Sequence, residues 1–418
     1  MTVSVTSMPE AAARRSAATW AEARSLARGC AVRPLPAVVR ELAEALGHAL
    51  AEPLTALTDL PSFDTSAMDG WAVAGPGPWR LRGGGVLAGA RPEPLDAGTA
   101  VPIATGAPVP RGASAVLRRE HGEADEHGLL FARCAGSGLP ESGPGPAAPG
   151  RDIRPRGQEC RAGEPLLPSG TTVTPAVQGL AAASGYDRLA VHRRPTVELL
   201  VLGDELLESG LPHSGRVRDA LGPLLPPWLR GCGALVTERR RVSDDFGLLR
   251  EALRDSAADV VVTTGSTAAG PVDFLHGALA ETGARLLVDS VAVRPGHPML
   301  LAELSPAADG RPRRLVGLPG NPLAAVAGAA TLAVPLLRRL GGHPDAEPPR
   351  MTAAAALPGH PRDTRLLPVR RVGREVLPLP FDGPAMLRGL ALADGLAAVP
   401  PGGADAGAEV EILDVPGR

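Results

Sequence analysis

The chain has 418 residues, 44% of them hydrophobic and only 2% aromatic. That is room for two to four domains whose cores rest on Leu, Val and Ala. The formal charge is −2, with no block of like charge, which excludes the basic footprint of a nucleic-acid-binding surface.

Every basic residue is arginine, so chemistry that needs a lysine amine is excluded as well. The four cysteines, Cys30, Cys134, Cys160 and Cys232, are far apart and form no CxxC pair. Neither a structural zinc site nor a disulfide framework is expected, and the pattern fits a reducing, cytoplasmic setting. No run of 18 apolar residues and no signal-peptide core are visible, so no membrane association is expected.

Residues 1–18, rich in Ala, Ser and Arg, read as a loose tail. Residues 19–54 read as helix, because Val38, Val39, Leu42, Ala45, Leu46, Ala49 and Leu50 recur at three- and four-residue spacing. Pro34 and Pro36 break or start that helix. From residue 61 to about 170, short apolar runs cut by Gly and Pro predict a β-rich, turn-rich region. Residues 135–150 read as a loop.

A new unit starts near Pro195. Residues 197–202 read as a short strand, apolar except for Glu198, ending in Gly203-Asp204-Glu205. A helix is predicted over roughly 216–230, weakened by Pro226 and Pro227. Another is predicted over 244–255, with Asp244 as its cap and Phe246, Leu249, Ala252 and Leu253 on one face. Residues 260–264 are an uninterrupted run typical of a buried parallel strand. A Gly-rich turn and a helix over 274–283 follow. Residues 315–318 form a further strand, which runs into Pro319-Gly320-Asn321-Pro322 and a helix to about Leu340. Asn321 suits an N-cap and Pro322 the first helical position. Strands alternating with helices imply a parallel three-layer α/β/α domain over 195–342. Residues 350–418, again short strands and turns, suggest a small β-barrel or sandwich.

Five segments carry candidate chemistry. Residues 263–273 leave a buried strand and open a helix, where unpaired N–H groups and the helix dipole favour anions; Thr264, Gly265, Ser266 and Gly270 lie there. Arg294-Pro295-Gly296-His297-Pro298 offers a bidentate guanidinium and an imidazole that works as acid or base. Gly317-Leu318-Pro319-Gly320-Asn321-Pro322 fixes a sharp turn before a helix N-terminus. Residues 61–71 place Asp64 and Asp69 among hydroxyl groups, a pattern compatible with Mg²⁺ beside substrate phosphates or with a plain Asx-turn. Gly203-Asp204-Glu205 lies past a strand C-terminus, where ligands of open α/β sheets sit.

As an ordered set these segments resemble the molybdopterin molybdenumtransferase family, of the MoeA and gephyrin E-domain type. Leu60–Val73 resembles its N-terminal signature and Ile103–Ala113 its second motif. Gly150–Gly157, Arg294–Pro298, Gly317–Pro322 and Gly383–Leu396 match further stretches, so the likeness spans about 20–415. The resemblance implies two β-rich N-terminal subdomains over 19–194, the α/β domain as the molybdopterin-binding unit, and a C-terminal β-barrel domain over 350–418. It also implies insertion of molybdate into adenylylated molybdopterin with release of AMP, an elongated homodimer, and a site shared between subunits. Other proteins of molybdenum cofactor synthesis are possible partners on the same ground.

Carried over by position, Asp69, Glu205, Asp245, Asp273 and His297 fall at catalytic places. Thr105, Arg154, Glu159, Arg294, Pro319, Gly320 and Asn321, with the loop residues above, fall at ligand-binding places. Asp69, Glu205 and Asp273 are the expected Mg²⁺ ligands. Besides a family Ser-Asn that is not apparent near Gly215–Ala220, three departures stand out. The family's Gly-Gly-apolar-Ser loop is Gly265-Ser266-Thr267-Ala268 here, its Thr-Gly-Asp-Glu-Leu is Leu202-Gly203-Asp204-Glu205-Leu206, and its Pro-Gly-Lys-Pro is Pro295-Gly296-His297-Pro298. A histidine carries a charge only when protonated. These changes define the alternative reading, a catalytically weakened paralogue that binds molybdopterin or a partner protein.

Overall fold

The computed structural model describes residues 17–133, 147–267, 274–345 and 347–416. The loop expected over 135–150 falls outside them but for its last four residues, as does the tail expected over 1–18 but for its last two. Ala18 is not loose: it pairs in parallel with Val291.

The first helix, Trp20–Gly29, opens with a capping box. The Glu22 N–H donates to Thr19 Oγ1 at 3.2 Å and the Thr19 N–H donates to the Glu22 carboxylate at 2.9 Å. The expected continuation to residue 54 does not form. Ala37–Glu41 is a strand, antiparallel to Arg188–His192, and Leu42–Glu44 is a single 3₁₀ turn. Pro34 and Pro36 hold the preceding backbone extended. The apolar spacing over 38–50 is met equally by a strand followed by a turn, and it buries Ala45 and Leu50 against Leu189 and Val191. Trp20, Ala23 and Ala27 instead join the core of the distant α/β unit.

Residues 70–132 hold a six-stranded sheet in the order Ala115–Arg118, Gly70–Val73, Thr99–Ile103, Trp79–Leu81, Leu129–Ala132, Gly122–Ala124.

The α/β sheet runs Leu235–Val242, Thr196–Leu202, Val260–Thr264, Arg313–Leu318, Leu300–Leu304, Arg285–Val288. Its first four strands are parallel. Val260–Thr264 is buried throughout, which is why its sequence is apolar without alternation. The sheet is nevertheless mixed: Leu300–Leu304 is antiparallel to both of its neighbours. The eight residues between Leu304 and Arg313 leave no length for a crossover helix, so the chain must turn back as a hairpin. Leu221–Gly231, Pro322–Leu340 and the first helix cover one face, and Phe246–Asp255 and Phe274–Glu281 cover the other.

Two helix starts differ from expectation. Leu221–Gly231 begins late because Val217–Arg218 pairs with Leu206–Leu207. Asp245, not Asp244, caps Phe246–Asp255, accepting from the Leu248 N–H at 2.8 Å.

The helix Pro322–Leu340 is long and apolar enough to cross a membrane, yet 78% of its apolar window is buried within the domain. It is the central core helix. Its middle, Ala329–Ala333, is a π-turn. Trp20 Nε1 donates to Thr331 Oγ1 at 3.2 Å and Arg24 Nη1 to Ala330 O at 2.9 Å, so the N-terminal helix supplies partners there.

In the C-terminal region, Thr364–Val372, Glu375–Pro378, Arg350–Ala353, Glu409–Asp414 and Gly395–Val399 pair in that order. Gly395–Val399 pairs back with Thr364–Val372 and closes a five-stranded barrel. Val291–Arg294 adds to the edge of Thr364–Val372, tying the α/β unit to the barrel beside Arg294.

Candidate functional site

Three loops meet at the C-terminal ends of the parallel strands. Val201 pairs with Thr264 and Thr264 with Leu318, so the turns that follow are neighbours. The Gly265 N–H donates to Leu318 O at 2.8 Å. Gly265 and Ser266 both take left-handed backbone, at φ 87° and 51°, and swing the chain off the strand. A Cβ on Gly320 would stand 3.6 Å from Gly265 Cα, so the two loops touch backbone to backbone. Thr264 and Pro319 are buried, and Gly320 and Asn321 are exposed. Asn321 holds the N-cap position of the core helix, but its side chain makes no capping bond and faces outward for other use. Gly270 and Asp273 lie outside the described residues.

The loop after Leu202 adds Glu205, whose carboxylate folds back over Gly203. Asp245 lies on a different segment, 40 residues on, and its Oδ1 is committed to the helix cap. Its neighbour Asp244 accepts from the Asp204 N–H at 3.2 Å and steadies that loop.

Arg294 and His297 flank a turn pressed against the core helix. Gly296 has φ 106°, and a Cβ there would lie 2.9 Å from Ala324 O, so only glycine fits. His297 Nδ1 lies 2.8 Å from Val291 O. A carbonyl only accepts, so Nδ1 carries the proton and Nε2 is the nitrogen left for a ligand. Arg294 donates through Nε to Asp363 of the barrel at 2.8 Å, a partner with no local signal in the sequence.

A second group forms in the β-rich region. Asp69 Oδ1 accepts from the Thr105 N–H at 2.7 Å and from Thr105 Oγ1 at 3.0 Å. The backbone donor, then the hydroxyl, hold the Asp69 carboxyl below the usual carboxylate range. Ile153–Arg154 pairs with Thr65–Ser66, Asp64 accepts from the Arg156 N–H at 2.7 Å, and the Glu159 N–H donates to Leu60 O at 2.8 Å. Asp59 also binds the Arg156 guanidinium. Asp69, Thr105, Arg154 and Glu159 thus share one unit built from the 59–71, 104–108 and 150–162 segments.

No described hydrogen bond or ion pair joins this group to Glu205, His297 or Asn321. Among the described residues of one chain, no three His, Cys, Asp or Glu side chains converge as a metal-binding group. Of the expected Mg²⁺ ligands, Asp69 and Glu205 lie among the described residues and Asp273 lies outside them. The candidate residues thus fall in two groups: the loops at the strand ends, and the acidic, hydroxyl-bearing loops around Asp69.

Comparison with known proteins covers both regions. Residues 18–185 match the model of the MoeA N-terminal region (domain I and II), 198–339 the probable molybdopterin binding domain, and 350–415 the MoeA C-terminal region (domain IV). The chain is 30% identical over 407 residues to molybdopterin molybdenumtransferase 2 of Mycobacterium tuberculosis, covering 90% of this chain and 94% of that one. It is 33% identical over 324 residues to the molybdopterin molybdenumtransferase of Synechococcus elongatus, covering 73% and 76%. The crystal structure of the molybdopterin biosynthesis MoeA protein from Pyrococcus horikoshii OT3 superimposes with a TM-score of 0.73 at 20% identity, over 95% of this chain and 99% of that one. With its three characteristic segments in order and relatives matched along most of its length, the chain belongs to the MoeA family of molybdopterin molybdenumtransferases.

Proposed function

We infer that this chain is a molybdenumtransferase of molybdenum cofactor synthesis, which inserts molybdate into adenylylated molybdopterin and releases AMP. The observation that carries the reading is the 30% identity to a molybdopterin molybdenumtransferase over 90% of the chain. The strand-end crevice supports it, since loop amides and a helix N-terminus stabilise phosphate and oxyanion charge without proton transfer. His297 presents Nε2 where the family carries a lysine. The imidazole binds an oxyanion as donor when protonated and passes a proton when neutral.

No described bond joins the two groups within one chain, and this supports a homodimer in which the Asp69 loop of one subunit completes the crevice of the other. Asp69, Thr105, Arg154 and Glu159 would serve the partner's crevice, with Glu205, Ser266, Arg294, His297 and Asn321 acting in cis. Magnesium enters as an ion carried by the substrate phosphates. Asp69, Glu205 and Asp273 would hold it beside those phosphates. The scattered cysteines, Cys30, Cys134, Cys160 and Cys232, support work in the reducing cytoplasm.

The test is reconstitution. Purified protein is incubated with adenylylated molybdopterin, Mg²⁺ and molybdate, and the product is offered to a cofactor-free molybdoenzyme. Molybdate-dependent recovery of that enzyme's activity supports the reading; recovery no greater than without this protein rejects it.

A further inference from the structure

The arginines around the strand-end crevice are not equivalent. Arg294 is ion-paired with Asp363 at 2.8 Å, Arg240 with Glu198 at 3.1 Å, and Arg239 lies 3.9 Å from Glu208. Arg216 and Arg241 have no carboxylate partner among the described residues, yet both are anchored. Arg216 Nη2 donates to Asp204 O at 2.9 Å and Arg241 Nη2 donates to Gly203 O at 3.1 Å. These are consecutive carbonyls of the loop that ends the strand Thr196–Leu202. Both residues are exposed, and no described hydrogen bond uses their Nε or Nη1 atoms. Arg218 also lacks a carboxylate partner, but no described bond fixes its side chain.

An exposed arginine is most often a solvated residue. Two that converge on adjacent carbonyls at the ligand end of an open sheet, in a chain with no lysine, present a different geometry. A guanidinium held at one nitrogen has lost part of its side-chain freedom beforehand and keeps a fork that matches two oxyanion oxygens. We propose that Arg216 and Arg241 form a paired phosphate clamp at the mouth of the crevice, gripping the nucleotide phosphate and supplying positive charge that His297 does not carry when neutral. The choice of phosphate rests on the molybdenumtransferase reading. The alternative oxyanion at the same clamp is molybdate.

The clamp is tested by calorimetric titration of AMP, and separately of molybdate, into wild-type protein and the R216Q, R241Q and R216Q/R241Q variants. Each single change should weaken AMP binding about tenfold, with the larger loss in the double variant and little change for molybdate. R216K/R241K, which keeps charge but loses the fork, should fall between wild type and the glutamine double variant, and it serves where the glutamine variants do not fold. AMP affinity unchanged in folded variants, or a loss confined to molybdate, overturns the proposal. Because AMP binding is read without turnover, a wild-type protein that binds AMP through these arginines but transfers no molybdenum would reject the function and leave the clamp standing.

Discussion

Asp69 and Thr105 come from segments 36 residues apart, and two bonds from Thr105 converge on one carboxylate oxygen of Asp69. The arrangement fixes the side chain of the N-terminal signature loop and keeps it ionised. Because the folded-state pKa is lowered, the ionised form persists to a lower pH than in a free aspartate. Thr105→Val removes the hydroxyl bond and retains the backbone one. The acid limb of the kcat/KM profile should therefore move to higher pH, with the neutral plateau less affected. An acid limb that does not move would show that Asp69 ionisation does not govern activity.

Subunit mixing tests the shared site. D69N and E205Q homodimers should each be nearly inactive. After denaturation and co-refolding in equal amounts, half of the dimers are mixed, and each of these holds one intact composite site. Activity should recover to about a quarter of wild type. No recovery would place Asp69 and Glu205 in the same half-site or outside the chemistry.

Asp245 separates a structural from a catalytic part. Asp245→Ala loses the cap on Phe246–Asp255 and should cost about 1 kcal/mol in denaturant unfolding. Asp245→Asn keeps a capping oxygen and should be nearly as stable as wild type. If the carboxylate also serves the reaction, D245N loses turnover at unchanged stability. Full activity in D245N would confine Asp245 to the cap.

His343 gives the fold a pH dependence away from the site. Its Nδ1 lies 2.9 Å from Thr172 Oγ1, across the joint between the N-terminal unit and the end of the core helix. Burial first, and then Arg338, Arg194, His48 and His192, pull its pKa down to about 4. The unfolded chain takes up a proton near the ordinary histidine value and the folded chain does not. Stability is therefore fully present above that value and is lost as pH falls from about 6.5 to about 4, by roughly 2–3 kcal/mol. His343→Gln should flatten urea midpoints measured across this window. An equal slope in the variant would assign the effect to other groups.

The sequence is most readable where one local rule dominates. Val260–Thr264 sits mid-sheet with both faces covered, so its apolar run has a single interpretation. The turn glycines and the Asn321-Pro322 helix start follow from backbone rules in the same way. Residues 37–44 were open to error because their apolar spacing satisfies two periods, and the deciding partner, Arg188–His192, lies some 150 residues on. The antiparallel pairing of Leu300–Leu304 has no local signal either, since its direction is set by the short connection to Arg313–Leu318 and by its partners and not by its own pattern. At the site, residue types were legible and partners were not. Asp363 neutralising Arg294 is a contact between domains, and nothing near Gly215-Arg216 or in the run Arg239-Arg240-Arg241 announces which guanidinium stays unpaired. The Asp244 and Asp245 pair shows the finest limit: either fits a cap, and a one-residue shift in backbone geometry decides.

Molybdate-dependent release of AMP from adenylylated molybdopterin by the purified wild-type protein bears most directly on the function. With Mg²⁺ present, AMP should appear in proportion to adenylylated molybdopterin only when molybdate is added, at one AMP per molybdenum inserted. AMP release that is absent, or the same with and without molybdate, would contradict molybdenum transfer by this chain.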